Sequence, residues 1–158
     1  MTSSTDDLPA PLAQIVVDFQ AMGERERLQL LLDFSSELPP LPEQVAARHD
    51  AMEPVAECQS PVFVLVEVDP PRPDGRVSLY FEAPAEAPTT RGFAGILREG
   101  LDGLTAEQVL AVPDDVPGRL GLTKAVSPLR LNGMAGMLFR IKRQVRAATG
   151  TGPAEPPR

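Results

Sequence analysis

Apolar positions near the start of the chain recur at helical spacing. Leu12, Ile15, Val16, Phe19 and Met22 fall three and four apart, which predicts an amphipathic helix with one buried stripe. Gly23 stands where that helix would end. A second stripe follows in Leu28, Leu31, Leu32, Ser35 and Leu38, and Pro39-Pro40 stops it. The period then changes to two. In residues 61–69, PVFVLVEVD, the valines at 62, 64, 66 and 68 share one parity. Phe63, Leu65, Glu67 and Asp69 share the other, so one face is buried and the second begins buried and ends wet. PPRPDG turns the chain, with Asp74-Gly75 as its sharpest signal. RVSLYFEA, residues 76–83, returns as the second strand of an antiparallel hairpin.

Helical spacing resumes after that hairpin. Thr89 or Thr90 is placed to cap a helix over residues 91–101, with Phe93, Ile96, Leu97 and Leu101 inward. Gly92, Gly95 and Gly100 weaken this helix in isolation but permit close packing. Thr105 and Gln108 match a capping box. Ser127-Pro128 opens a last helix that carries Leu131, Met134, Leu138, Ile141 and Val145 inward and closes at Gly150. Residues 39–57 show no period and read as irregular. Helices, then a hairpin, then helices define an α+β fold with a small antiparallel sheet, and a sheet that small needs helices over at least one face.

Composition narrows the function. The 158 residues fit one domain, expected over residues 11–149, with a flexible N-terminus over 1–10 and a disordered Pro/Gly tail over 150–158. A net charge of −7 argues against nucleic acid, whose phosphates need a basic surface. No apolar run is long enough to span a membrane, and the polar, acidic start does not resemble a signal peptide, so a cytoplasmic protein is expected. One cysteine excludes an intramolecular disulfide. One His and one Cys do not make a metal site, and phosphate-loop and serine-elbow motifs are absent. His49 reads as a solvated loop residue, and the run Arg140, Lys142, Arg143 and Arg146 as a solvated helix end favoured by the helix dipole.

That leaves Cys58. A free cysteine is often a small apolar filler. Cys58, however, precedes the apolar run and has the polar neighbours Glu57, Gln59 and Ser60, which places it in a loop. A thiol there is a nucleophile once deprotonated. On residues alone an inert filler, a redox-sensing thiol and a nucleophile remain open.

Four blocks in order carry a family resemblance. ECQSPVFVLVEV resembles the Cys-Gln-Ser signature of the SufE family, sulfur-acceptor proteins of iron–sulfur cluster assembly. LLLDFSSELPPLPEQ, residues 30–44, resembles the family's second helix with its Leu-Pro turn. EAPTTRGFAGILREGLDGLTAEQVL, 86–110, resembles its basic-Gly pair and following helices, and LTKAVSPLRLNGMAGMLFRIK, 122–142, its closing helix. The resemblance implies a small curved antiparallel sheet packed on one side by helices. It implies that Cys58 accepts persulfide sulfur from a pyridoxal-phosphate (PLP) cysteine desulfurase, stimulates that enzyme and hands sulfur to iron–sulfur scaffold proteins. The chain itself is then not an enzyme and binds no cofactor, the PLP belonging to the desulfurase, and a monomer or weak dimer is expected. Gln59 and Ser60 carry over as shapers of the cysteine loop. Arg130 carries over as a group that stabilises the thiolate or docks the partner, or else forms a salt bridge at its helix start. Glu86 and Arg91 carry over as supporting positions. Glu57 stands where many relatives have Gly, and Pro61 where many have a polar residue. The Glu57 carboxylate opposes ionisation of its neighbour. A reactive Cys58 is expected to be shielded in the free protein and exposed on docking.

Overall fold

The computed structural model describes residues 5–151. Seven helices are formed among them: α1 (Ala10–Gln20), α2 (Glu24–Glu37), α3 (Glu43–Ala46), α4 (Pro88–Leu101), α5 (Ala106–Leu110), α6 (Val116–Arg119) and α7 (Pro128–Thr149). Three strands, β1 (Glu53–Pro54), β2 (Phe63–Asp69) and β3 (Arg76–Glu82), make an antiparallel sheet in the order β1-β2-β3. The fold is thus α+β. Among the described residues no helix is long and apolar enough to cross a membrane.

The hairpin register pairs Leu65 with Tyr80 and Val66 with Leu79. This puts Val62, Val64, Val66 and Val68 beside Val77, Leu79 and Phe81 on one face, where they join the main core with α1, α4 and α7. The opposite face follows its expected gradient. Leu65, with Phe63 against it, packs under Val45 of α3 and Met52. Glu67, beyond that cover, meets solvent and pairs with Arg48 at 2.9 Å.

The glycines of α4 set the helix packing. A Cβ at Gly92 would lie 2.5 Å from the Leu31 carbonyl oxygen, and one at Gly95 2.5 Å from that of Phe34. The backbones of α2 and α4 therefore touch, which only glycine permits. Leu12 of α1 closes on Gly100 in the same way, its Cδ1 2.8 Å from where a Cβ would stand.

Several expectations are corrected. Gly23 does not end α1; it precedes α2 in an extended conformation. The carbonyls left open at the end of α1 are met instead by Arg27, whose Nε donates to Phe19 O at 2.7 Å. Helix α4 begins at Pro88, three residues before the expected start, and neither Thr89 nor Thr90 caps it. Pro at the first helical position needs no N–H partner, which makes a side-chain cap dispensable there. The irregular stretch contains β1, too short and too proline-bound to show a period, and α6 was likewise not foreseen. Asp7 is held by the Arg119 guanidinium at 2.8 and 2.9 Å and Leu8 is buried, so the expected flexible start is anchored at these positions. Residues 1–4 of that start, and 152–158 of the expected tail, lie outside the described residues. The Thr105–Gln108 capping box, the Ser127 cap and the left-handed Gly150 stand as expected.

Candidate functional site

Cys58 ends a single 3-10 turn, Ala56–Cys58, in the loop that joins β1 to β2. The loop is closed on itself. Val55 N–H donates to Val62 O at 2.9 Å, and Cys58 N–H to Val55 O at 3.1 Å. Gln59 then reverses the chain in a left-handed conformation, φ 57°, a position that a polar side chain tolerates better than a branched one.

This loop lies on α7, and two glycines make room for it. A Cβ at Gly133 would stand 3.1 Å from the Cys58 sulfur, and one at Gly136 2.8 Å from the Glu57 carboxyl carbon. The thiol is half-buried and donates weakly to Gly133 O at 3.7 Å. Glu57 meets Arg140 of α7, with Nη1 to Oε1 at 2.7 Å. The contact is an ion pair without hydrogen-bond alignment, so Glu57 Oε1 and Arg140 Nε are buried without a hydrogen-bond partner among the described residues. Behind it, Arg140 Nε approaches Glu53 at 3.5 Å, and Arg143 also contacts Glu53. Gln144 joins this network to the sheet, donating to Glu53 at 3.0 Å and accepting from Val66 N–H at 2.8 Å.

Burial pushes the Cys58 thiol up to about 11, the Glu57 carboxylate adds to the rise, and Arg140 opposes it. In the free protein the sulfur is a protonated thiol at neutral pH. Alkylation by iodoacetamide, followed against pH, should reach half its limiting rate near pH 11 instead of the roughly 8.5 of an open thiol. The folded chain holds this proton to higher pH than the unfolded chain. Its stabilising effect is therefore intact at neutral pH and is lost as pH rises from roughly 8.5 toward the folded value. Denaturant unfolding of wild type and Cys58→Ala across that window checks the sign: only wild type should weaken through this group.

Cys58, Gln59 and Ser60 share an open cavity of about 330 Å³ with Ser127, Leu129 and Arg130 at the start of α7. Ser60, Ser127 and Arg130 also line an adjoining cavity of about 440 Å³, which contains Glu86. Arg130 is exposed, and among the described residues no carboxylate lies within ion-pair distance of its guanidinium. The salt-bridge reading of Arg130 is therefore set aside. Arg91 stands apart from both cavities. Its guanidinium donates to Ser35 O at 2.9 Å, Ala83 O at 2.7 Å and Leu38 O at 3.1 Å, tying α4 to the end of α2 and to the residue after β3. Arg91→Met should therefore cost about 3 kcal/mol of stability, since three carbonyls lose a charged donor. Arg91→Lys should recover only part of it, because an ammonium cannot fork to three acceptors; chemical denaturation of the two variants measures the difference. A third cavity, about 210 Å³ between residues 38–42 and β3, holds no thiol.

Two sequence readings change here. The basic run of α7 is not a solvated end: Arg140 is paired as described, and Lys142 is buried, bonded to Val112 O and to Asp114 at 2.8 Å. His49 is not merely solvated, since it pairs with Glu82 and packs edge-on against Phe63, ring centres 4.6 Å apart. Sequence reasoning missed Gly133, Gly136 and Arg140 as parts of the site. Their spacing places them on one face of α7, but nothing in the sequence names the loop that face receives.

Fold and site together define a small α+β protein that carries one shielded thiol on a loop between two strands. The chain belongs to the SufE family: the model of the Fe–S metabolism associated domain matches residues 13–145. Its place in iron–sulfur metabolism follows from that membership. An uncharacterized SufE-like protein of Mycobacterium tuberculosis is 55% identical over 141 residues, covering 89% of this chain and 95% of that one. The cysteine desulfuration protein SufE of Plasmodium vivax is 26% identical over 138 residues, covering 85% of this chain and 52% of that one. The solution structure of a hypothetical protein from Thermus thermophilus superposes with a TM-score of 0.78 at 40% identity, covering 90% of this chain and 98% of that one.

Proposed function

We propose that this chain is a sulfur acceptor for a PLP-dependent cysteine desulfurase and that Cys58 is the accepting atom. The observation that carries the reading is the placement of the one thiol of the chain at the wall of an open cavity, on a loop seated against α7 at Gly133 and Gly136. The Cys58 thiol first loses its proton. The thiolate attacks the outer sulfur of the donor's persulfide, a sulfur–sulfur bond forms on Cys58, and the donor's sulfur–sulfur bond breaks. The donor's cysteine leaves as a thiolate and takes up a proton, so the exchange needs no external oxidant or reductant. Arg130, exposed at the same cavity, is suited to steady the thiolate or to meet the donor. Ser60 and Gln59 shape the approach, and Glu86 lies on the adjoining wall. The sulfur then passes to a scaffold that builds clusters, in the same compartment as the desulfurase, which we take to be the cytoplasm. The cofactor is the donor's.

The test combines two readings of one reaction. Sulfide release by a desulfurase from the same organism is measured with and without the purified chain, and the intact mass of the chain is taken afterwards. Stimulation together with a gain of one or more sulfur atoms supports the reading. Neither effect, with that donor or with a rhodanese-type donor, sinks it. Oxidation of Cys58 by peroxide without stimulation would favour a redox-sensing thiol instead.

A further inference from the structure

We infer that Glu57 and Arg140 form a latch that holds the Ala56–Cys58 turn, and with it the thiol, against α7, and that a cation presented by the sulfur donor opens it by drawing Glu57 away. The donor's part of this inference rests on the proposed function; the latch itself does not.

The glycines of α7 provide the seat but no grip. Gly133 and Gly136 offer space to Cys58 and Glu57, and the thiol's own contact with Gly133 O is weak at 3.7 Å. The strong contact between the turn and α7 is the Glu57–Arg140 pair at 2.7 Å. Glu57 adjoins Cys58, so whatever moves the one carries the other. The pair is also releasable. Glu57 Oε1 and Arg140 Nε are buried without a hydrogen bond among the described residues, so desolvation is only partly compensated.

The asymmetry of the network says which partner leaves. Arg140 donates to Gly136 O at 3.1 Å and keeps Glu53 at 3.5 Å, so it is not orphaned when Glu57 goes. The side chain of Glu57 is 34% exposed and that of Arg140 15%, so Glu57 is the group a docking surface reaches. The charged groups facing Cys58 are Glu57 from its own turn and Arg140 and Arg130 from α7, with Glu53 of β1 behind Arg140. A donor cation that engages Glu57 cancels the one negative charge beside the thiol and brings a positive charge to it. Release and activation are then a single event. Positioning, not chemistry, is the role assigned to both residues.

The latch is tested on the free protein, without a sulfur donor, so that its failure is separate from failure of the acceptor reading. Iodoacetamide labelling of Cys58 is followed across pH for wild type, Glu57→Gln, Arg140→Met, Arg140→Lys and Arg143→Met, with hydrogen exchange over residues 55–60 and a melting curve for each. A latch predicts that Glu57→Gln and Arg140→Met both accelerate labelling at pH 8 by at least about tenfold, the factor that follows when the thiol's pKa falls by one. Exchange in the turn should rise with it. Arg140→Lys should stay near wild type, and Arg143→Met, which removes contacts with Glu53 and the Phe139 ring but none with Glu57, should be unchanged. Simple through-space electrostatics predicts opposite shifts, faster for Glu57→Gln and slower for Arg140→Met, and that result would overturn the latch. So would unchanged labelling in both variants, or an equal rise in Arg143→Met. Should Arg140→Met fail to fold, Glu57→Gln with exchange in the turn decides alone. A tetra-arginine peptide should accelerate labelling of wild type and leave Glu57→Gln unaffected; no acceleration of wild type overturns the role of the cation.

Discussion

Cys58→Ala is expected to abolish sulfur uptake completely and to remove the stimulation of the desulfurase, while leaving the fold intact. The chain has one sulfhydryl, so no second thiol can take over. Removal of the sulfur atom costs little elsewhere. Cys58 is only half-buried, and its one polar contact is the weak one to Gly133 O. The melting temperature should therefore stay within a few degrees of wild type, with a loss below about 1 kcal/mol. Cys58→Ser is the sharper variant, because it preserves size and polarity and removes only the nucleophilicity of sulfur. Intact mass after incubation with donor and cysteine gives the readout. Any sulfur gained by Cys58→Ala would place the acceptor outside this chain's thiol chemistry and refute the proposal.

The largest loss of stability is expected not at the site but where α2 crosses α4. Gly95→Ala would place a methyl group 2.5 Å from the Phe34 carbonyl oxygen and 3.0 Å from its carbonyl carbon. Both atoms are backbone inside a helix, and no rotamer change can relieve them. Gly92→Ala meets the Leu31 carbonyl oxygen at the same 2.5 Å. Alanine gains about 1 kcal/mol over glycine in helix propensity, but the two helices must separate by a substantial fraction of an ångström along a fully buried seam. The double variant should lose about 3 kcal/mol net. For a chain of this length that lowers Tm by about 6–12 °C. Gly118→Ala is the control: no atom lies within 4 Å of its Cβ position and its φ is ordinary, so stability should hold or rise slightly. A double variant as stable as wild type would show that the crossing is looser than its distances indicate. The same seam carries Arg91, so the exchange rates of α2 amides should follow the loss.

The elements legible in the sequence are those with a repeating pattern. The valines of β2, the stripe Leu12-Ile15-Val16-Phe19, the capping box at Thr105 and the Ser127-Pro128 start all announce themselves, because burial of one face imposes a period and exposed helix ends impose a chemistry. The half-wet second face of β2 was legible for the same reason, although its cover by Val45 and Met52 was not. Elements of two to four residues, such as β1, α3 and α6, are too short to show any period. The start of α4 was misplaced because two threonines mimic a cap that Pro88 makes unnecessary.

The site divides along the same line. Its candidate thiol was legible, since the chain offers one thiol in a polar loop, and so was the opposition of Glu57 to ionisation. Ser60 and Arg130, carried by motif, do meet Cys58 at one cavity, and Glu86 lies in the next. Arg91, carried by the same kind of motif, instead holds three backbone carbonyls together. A motif preserves residue identity but does not say which role that identity serves. The pairing of Glu57 with Arg140 joins positions 83 residues apart in number, and the sequence contains no trace of it, because the basic run of α7 has the composition of an ordinary helix end. By itself, then, the sequence determined the periodic elements, the one thiol and its local charge. Tertiary structure alone decided which carboxylate faces which guanidinium and which glycines seat the loop, because those contacts depend on how α7 lies against the β1–β2 connection and not on any local preference of the chain.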